Sequence, residues 1–452
     1  MEDTFPPGTH ISRYSRAHAL LGWFLLVTIL RPYPMLFADP SIVGRIVDLI
    51  WFLMAGIFLL YLFPRRQASA GGSPVLWLIL IMYSTLMSLF WGTLVFSSII
   101  MRDVYELYRA PYYLLVLILS SSMLWTKEEL KRDFSRTMII SVFAMTAVSF
   151  LQMQSNIPIL KTILSHMYYL KSQGFAVVSG GMFYMRNNGT FSNPNYFSLA
   201  LAIMLPFLLA CYPLICSSRG RFGLGMAVFL VLGMELTTGS RVGAIAVIVT
   251  VLLYFFWSWM ESLRPRSRNA ISPAMQDKRV LILPLIVIII LGVVVFPKLY
   301  RWQATREDFL SGGGVGGIGS FSVKMEQGIK FMSEAVARSP VFGLGPSKGE
   351  DNYLGDNQYT RYFFRYGILG FLVWCGFWIA IFFKAFGRWR RAVSQVQTTF
   401  AKAVLCVVPT FLLACVGGSF FDATQIMTLL LVLVGIAFSV SGNYDLKETK
   451  RQ

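Results

Sequence analysis

The sequence predicts an all-α integral membrane protein, and three observations predict it. Of the 452 residues, 56% are hydrophobic and only 14% are charged, whereas a soluble domain is about a quarter charged. Apolar runs recur at short intervals, each with about the ~20 residues a helix needs to cross a bilayer. Basic residues gather in every second loop between those runs, where orientation signals belong. No polar stretch is large enough to fold alone, so residues 1–452 read as one polytopic domain.

Taken in order, the runs predict about twelve spans: 19–37, 42–63, 75–100, 105–125, 137–154, 196–216, 222–238, 241–259, 280–297, 367–386, 400–418 and 424–441. Helices are required, because lipid offers no partner to an unpaired backbone group. The stretch before them, Met1 to His18, is polar and lacks a cleavable signal pattern, so the first run reads as an uncleaved signal anchor. Arg65 and Arg66, Lys127 to Arg136, Arg219 and Arg221, Arg264 to Arg279, Arg388 to Arg391 and Lys447 to Arg451 all fall on the side of the N-terminus. The positive-inside rule makes that side cytoplasmic, with both termini inside.

The opposite side carries two long loops, 155–195 and 298–366. Loops longer than ~15 residues are usually functional or disordered. The second contains a helical stretch, with Met325, Ile329, Met332 and Val336 at helical spacing. The glycine run Gly312 to Gly319 before it reads as a hinge, since no Lys-Ser/Thr follows to make a phosphate loop.

A net charge of +18 raises the question of nucleic acid. Loop placement answers it, because most of the cations are orientation signals and nucleic acid is not an expected partner. The cysteines at 211, 216, 375, 406 and 415 lie inside apolar runs. They imply neither a metal site nor a disulfide framework.

Twelve cations fall on the outer side against the orientation rule: Arg102, Arg109, Arg186, Arg241, Arg301, Arg306, Lys324, Lys330, Arg338, Lys348, Arg361 and Arg365. Singly, each reads as a partner for the acids of the second loop. Together they suit an anionic ligand, since guanidinium binds phosphate oxygens in pairs and keeps its charge. Arg241 stands in a tight turn, Thr237-Thr238-Gly239-Ser240-Arg241. Glu235 lies slightly deeper, where an ionisable group is costly. It either supports Arg241 or takes part in chemistry. Arg45 and Asp48, one helical turn apart, read as a structural pair.

Three segments together resemble the O-antigen polymerase/ligase superfamily. They are Gly189-Thr190-Phe191-Ser192-Asn193-Pro194-Asn195, then Thr238-Gly239-Ser240-Arg241-Val242-Gly243-Ala244, then Pro340-Val341-Phe342-Gly343-Leu344-Gly345-Pro346 running through Asp356-Asn357-Gln358-Tyr359 to Gly367-Ile368-Leu369-Gly370. The resemblance covers roughly residues 140–440. It implies a GT-C-like, metal-independent glycosyltransferase in the bacterial inner membrane, acting at the periplasmic face and needing no cofactor. Its implied partners are an undecaprenyl-diphosphate-linked oligosaccharide, membrane lipid and a chain-length regulator protein. Ligases of the family carry His-Asn where this chain has Asp356-Asn357, and Lys324 stands near a usual Arg. The missing His favours a Wzy-type polysaccharide polymerase over an O-antigen ligase or protein oligosaccharyltransferase. A lipid-linked oligosaccharide transporter is the alternative from another class, but no internal repeat supports it.

On this reading, charge builds on a departing diphosphate and fixed cations must meet it. Arg241 is the first candidate, with Arg306, Arg338 and Arg186 behind it. Asp356 is the candidate base for the attacking hydroxyl, or else a loop cap or a partner of Arg361 or Arg365. Asn195, Asn357 and Tyr359 are the candidates for positioning sugar hydroxyls, and no metal ligand is expected.

Overall fold

A computed structural model describes residues 9–30, 73–96, 106–153, 193–215, 217–263, 319–346 and 357–440, with short pieces at 177–179, 182–184, 187 and 189–191 and single residues 53 and 103. The expected spans 42–63 (residue 53 apart) and 280–297, the pair Arg45 and Asp48, most of the first long loop, and residues 298–318 and 347–356 of the second lie outside the described residues.

Eleven described helices set the architecture. They are α1 (Thr9–Leu30), α2 (Ser73–Phe96), α3 (Arg109–Ser121), α4 (Ser135–Met153), α5 (Pro194–Cys211), α6 (Ser218–Thr238), α7 (Arg241–Ser262), α8 (Gly319–Arg338), α9 (Gln358–Arg391), α10 (Gln395–Ala414) and α11 (Thr424–Ser439). A capping-box turn, Lys127–Glu129, and a π-helical turn, Leu130–Phe134, run straight into α4. One small antiparallel hairpin, β1 (Val177–Ser179) with β2 (Met182–Tyr184), is the described sheet. Seven helices are long and apolar enough to cross a membrane, and two shorter apolar ones, His18–Leu30 and Thr424–Ser439, accompany them. The chain is a multi-pass membrane protein.

Burial sorts the helices into two shells. The span through α5 is 89% buried, while that of α2 is 33% buried. A helix apolar all round belongs inside, and α5, α10 and α11 form that inner shell. Around them stand α2, α4, α6, α7 and α9, which leave Phe90, Phe150, Phe229, Leu252 and Phe383 exposed. Such a belt would be a liability in water and is the ordinary surface of a lipid-facing helix.

Two ends can be told apart by contacts. At one, His18 Nδ1 pairs with Glu129 at 3.1 Å, the Trp125 amide donates to the Ser439 carbonyl, and Lys402 meets Glu261 at 3.0 Å. This end also carries the basic stretches near residues 127–136, 219–221 and 388–391. The other end gathers the N-termini of α3, α5, α7, α9 and α11, and we call it the motif end.

The three motif segments explain why those helices start where they do. Asn193 caps α5 by accepting from the Asn195 amide, and Pro194 fills the first helical position. Ser240 caps α7 by accepting from the Gly243 amide. Asn357 caps α9 by accepting from the amides of Tyr359 and Thr360. Each N-terminus points a partial positive charge at the same end of the bundle.

Helix α9 begins nine residues before the expected span start at residue 367, because it is two helical pieces joined at Gly367 (φ 63°, ψ −166°). The break strips backbone groups of their helical partners. The segment 340–345 supplies new ones: Leu344 and Gly345 amides donate to the Phe364 and Arg365 carbonyls, and Ile368 and Leu369 amides donate to the Pro340 and Val341 carbonyls. Broken backbone is tolerated at membrane depth only when protein satisfies it in this way. Gly343 (φ 73°) faces Gly367 across the lacing, and a Cβ on either would lie 2.3 Å from a carbonyl oxygen of the other strand.

Candidate functional site

The motif end is organised around the loop 415–423, which joins α10 to α11. Its anchor is Phe421. The Phe421 amide donates to Gln358 Oε1 at 3.1 Å, and its carbonyl accepts from the Tyr113 hydroxyl at 2.8 Å. Its ring meets Tyr113, Tyr362 and Trp374 edge-on at 5.4, 5.5 and 6.2 Å between centroids. Aromatic edge contacts of this kind each add about 0.5–1.5 kcal/mol beyond burial. The loop is therefore fixed against α3 and α9 before any ligand arrives.

That fixed loop presents Asp422 to three arginines. Asp422 Oδ2 accepts from Arg361 Nη1 and from Arg365 Nη1, each at 3.2 Å. Asp422 Oδ1 lies 3.7 Å from Arg109 Nη1, which also hydrogen-bonds Glu106. Arg361 and Arg365 are four residues apart on the first piece of α9 and so share a face. Arg365 has 1% of its side chain exposed and Asp422 has 11%. Burial alone would push the Asp422 carboxyl up, but the guanidiniums of Arg365, Arg361 and Arg109 outweigh it and hold the group below the usual carboxylate range. Within these pairs three guanidiniums face two carboxylates, Asp422 and Glu106.

The Arg241 turn joins this end through the same loop. A Cβ on Gly417 would lie 2.4 Å from Val242, and the rings of Tyr196 and Phe420 meet edge-on at 5.6 Å. Asn195 Oδ1 accepts from the Ser240 hydroxyl at 2.9 Å, tying the first turn of α5 to the cap of α7. Glu235 is buried and accepts a hydrogen bond from Ser198 of α5. Its Oε2 has no hydrogen-bond partner among the described residues.

The structure places the other expected site residues as follows. Asn357 is the cap of α9, and the Tyr359 hydroxyl donates to the Leu412 carbonyl at 2.7 Å. Arg338 is exposed at the end of α8 and lies 3.5 Å from Glu334. Arg186, Arg306 and Asp356 lie outside the described residues. Among the described residues no cluster of three or more His, Cys, Asp or Glu is placed to hold a metal ion.

Sequence reasoning named Arg109 only within a group, offered Arg361 and Arg365 also as partners of Asp356, and passed over Asp422. Two signals mark them. Arg361 and Arg365 have same-face helical spacing, and Asp422 is a lone acid after Phe420-Phe421 at the mouth of an apolar run. No protein-family model matches the chain, and no curated protein sequence matches it.

Proposed function

We propose that the protein is a polysaccharide polymerase of the bacterial inner membrane, a metal-independent glycosyltransferase of GT-C type with about twelve spans and both termini in the cytoplasm. It moves a growing glycan from undecaprenyl diphosphate to a sugar hydroxyl of an incoming lipid-linked repeat at the periplasmic face. The observation that carries this reading is the convergence of Arg109, Arg361 and Arg365 on Asp422, whose loop also packs at Gly417 against Val242 of the Arg241 turn, at an end where several helix N-termini meet. A cluster of arginines at a bilayer boundary, beside helix N-termini, suits a phosphate whose hydrocarbon tail stays in lipid and whose sugars stay in water.

In the reaction the bond between the anomeric carbon and the diphosphate oxygen breaks, and a bond to the acceptor hydroxyl oxygen forms. The hydroxyl proton passes to Asp356, and the diphosphate leaves with its added charge met by Arg241 and the neighbouring guanidiniums. Asp422 is a poor base, because three arginines stabilise its ionised form. It fixes the guanidiniums in advance, so little reorganisation is needed as charge develops. A chain-length regulator protein is the expected partner.

The test is incubation of the purified protein with a lipid-linked repeat alone. A ladder of products without added acceptor is expected. Transfer only when lipid A-core or a protein acceptor is supplied would make it a ligase, and movement of intact substrate across vesicles would make it a transporter.

A further inference from the structure

A second cationic site lies at the end with the basic loops, away from Asp422. A cavity of about 430 Å³ is lined by Phe383, Lys384, Gly387, Arg388, Arg391 and Gln397, between the end of α9 and the start of α10. Three of those six residues are cations and none is a carboxylate. Three of the side chains are braced by the end of α11 and the residue after it: Lys384 Nζ lies 4.7 Å from the Phe438 ring centroid, Arg388 Nη1 donates to the Ala437 carbonyl at 3.1 Å, and Gln397 Nε2 donates to the Val440 carbonyl at 3.2 Å. The cap of α10, Ser394, accepts from the Gln397 amide, so that helix adds its positive pole. Arg390, by contrast, lies over the Phe386 ring and does not line the cavity.

We propose that this cavity binds the phosphate headgroup of an anionic phospholipid. Orientation signals alone require basic residues near the end of a span, not convergence on a cavity lined by two helices and braced by the end of a third. The position of the pocket selects the source of the phosphate. Phe383 lines it and is 63% exposed, and Ile379 and Leu372 lie exposed further along the same helix at 54% and 57%. That exposed apolar face provides a track for acyl chains beneath a cationic headgroup seat. Basic pockets between helices at a membrane boundary suit such lipids, with roughly 1 kcal/mol per nearby cation.

The experiment uses the full-length protein in detergent, and native mass spectrometry measures the lipid it retains. Phosphatidylglycerol is compared with zwitterionic phosphatidylcholine, with inorganic phosphate as competitor. Lys384→Gln and Arg391→Gln are tested, and Arg388 is spared because it also holds the Ala437 carbonyl. Lys330→Gln, on α8, is the control, and a thermal melt checks that each variant is folded. Preferential retention of phosphatidylglycerol is expected, with about a five-fold weakening in each pocket variant and none in the control. Equal retention of the two lipids, unchanged retention in Arg391→Gln, or displacement by inorganic phosphate would overturn the proposal.

Discussion

Asp422 is held by Arg109, Arg361 and Arg365. Removing one partner from a buried ion pair costs about 3–5 kcal/mol. Asp422→Asn is expected to lose about that much in a denaturation experiment and to lose polymer synthesis with it. The pH dependence has a definite sign. The carboxyl is held below its usual value near ~3.9, so its contribution is complete above about pH 4 and fades as acid carries the solution through the lower, folded value. Wild type should therefore lose stability in that acid range, and Asp422→Asn should lack that step. Arg241→Ala and Asp356→Ala are expected to abolish long-chain polysaccharide while protein abundance stays normal. Normal chain length in either variant removes that residue from the site.

Among the elements, the lacing of segment 340–345 onto the break in α9 sets where Arg361 and Arg365 stand. Both glycines at its centre have left-handed backbones, and a Cβ on Gly367 would strike the Val341 carbonyl oxygen. Gly367→Ala is expected to cost about 2 kcal/mol or more from backbone strain alone, read as a lowered thermal midpoint. A second close approach lies deeper, where a Cβ on Gly243 would lie 1.3 Å from Ser198 Oγ. Small residues let membrane helices meet at this distance. Gly243→Ala should separate α5 from α7 and destabilise the protein, read as a lowered thermal midpoint.

For the whole molecule, hydropathy made the membrane class legible, because long apolar runs have only one stable solution in lipid. The order of α5, α6, α7, α10 and α11 follows the expected spans closely. Hydropathy does not register a helix that breaks and resumes, so the early start of α9 was hidden, and so was the short α3 inside the run 105–125. The motifs were legible as signals before their physical meaning was. Asn193, Ser240 and Asn357 cap helices, and that duty places three N-termini at one end. The arginine cluster was not legible, because its members come from α3, α9 and the 415–423 loop, and only folding brings them together.

The most direct test of the central claim is binding of undecaprenyl diphosphate to the purified protein, since that group is common to every such repeat. The account predicts that Arg241→Ala weakens binding about ten-fold or more, as loss of a charge-assisted contact implies, while Arg391→Gln at the opposite end leaves it unchanged. Equal binding by wild type and Arg241→Ala, or a larger loss in Arg391→Gln, would contradict it.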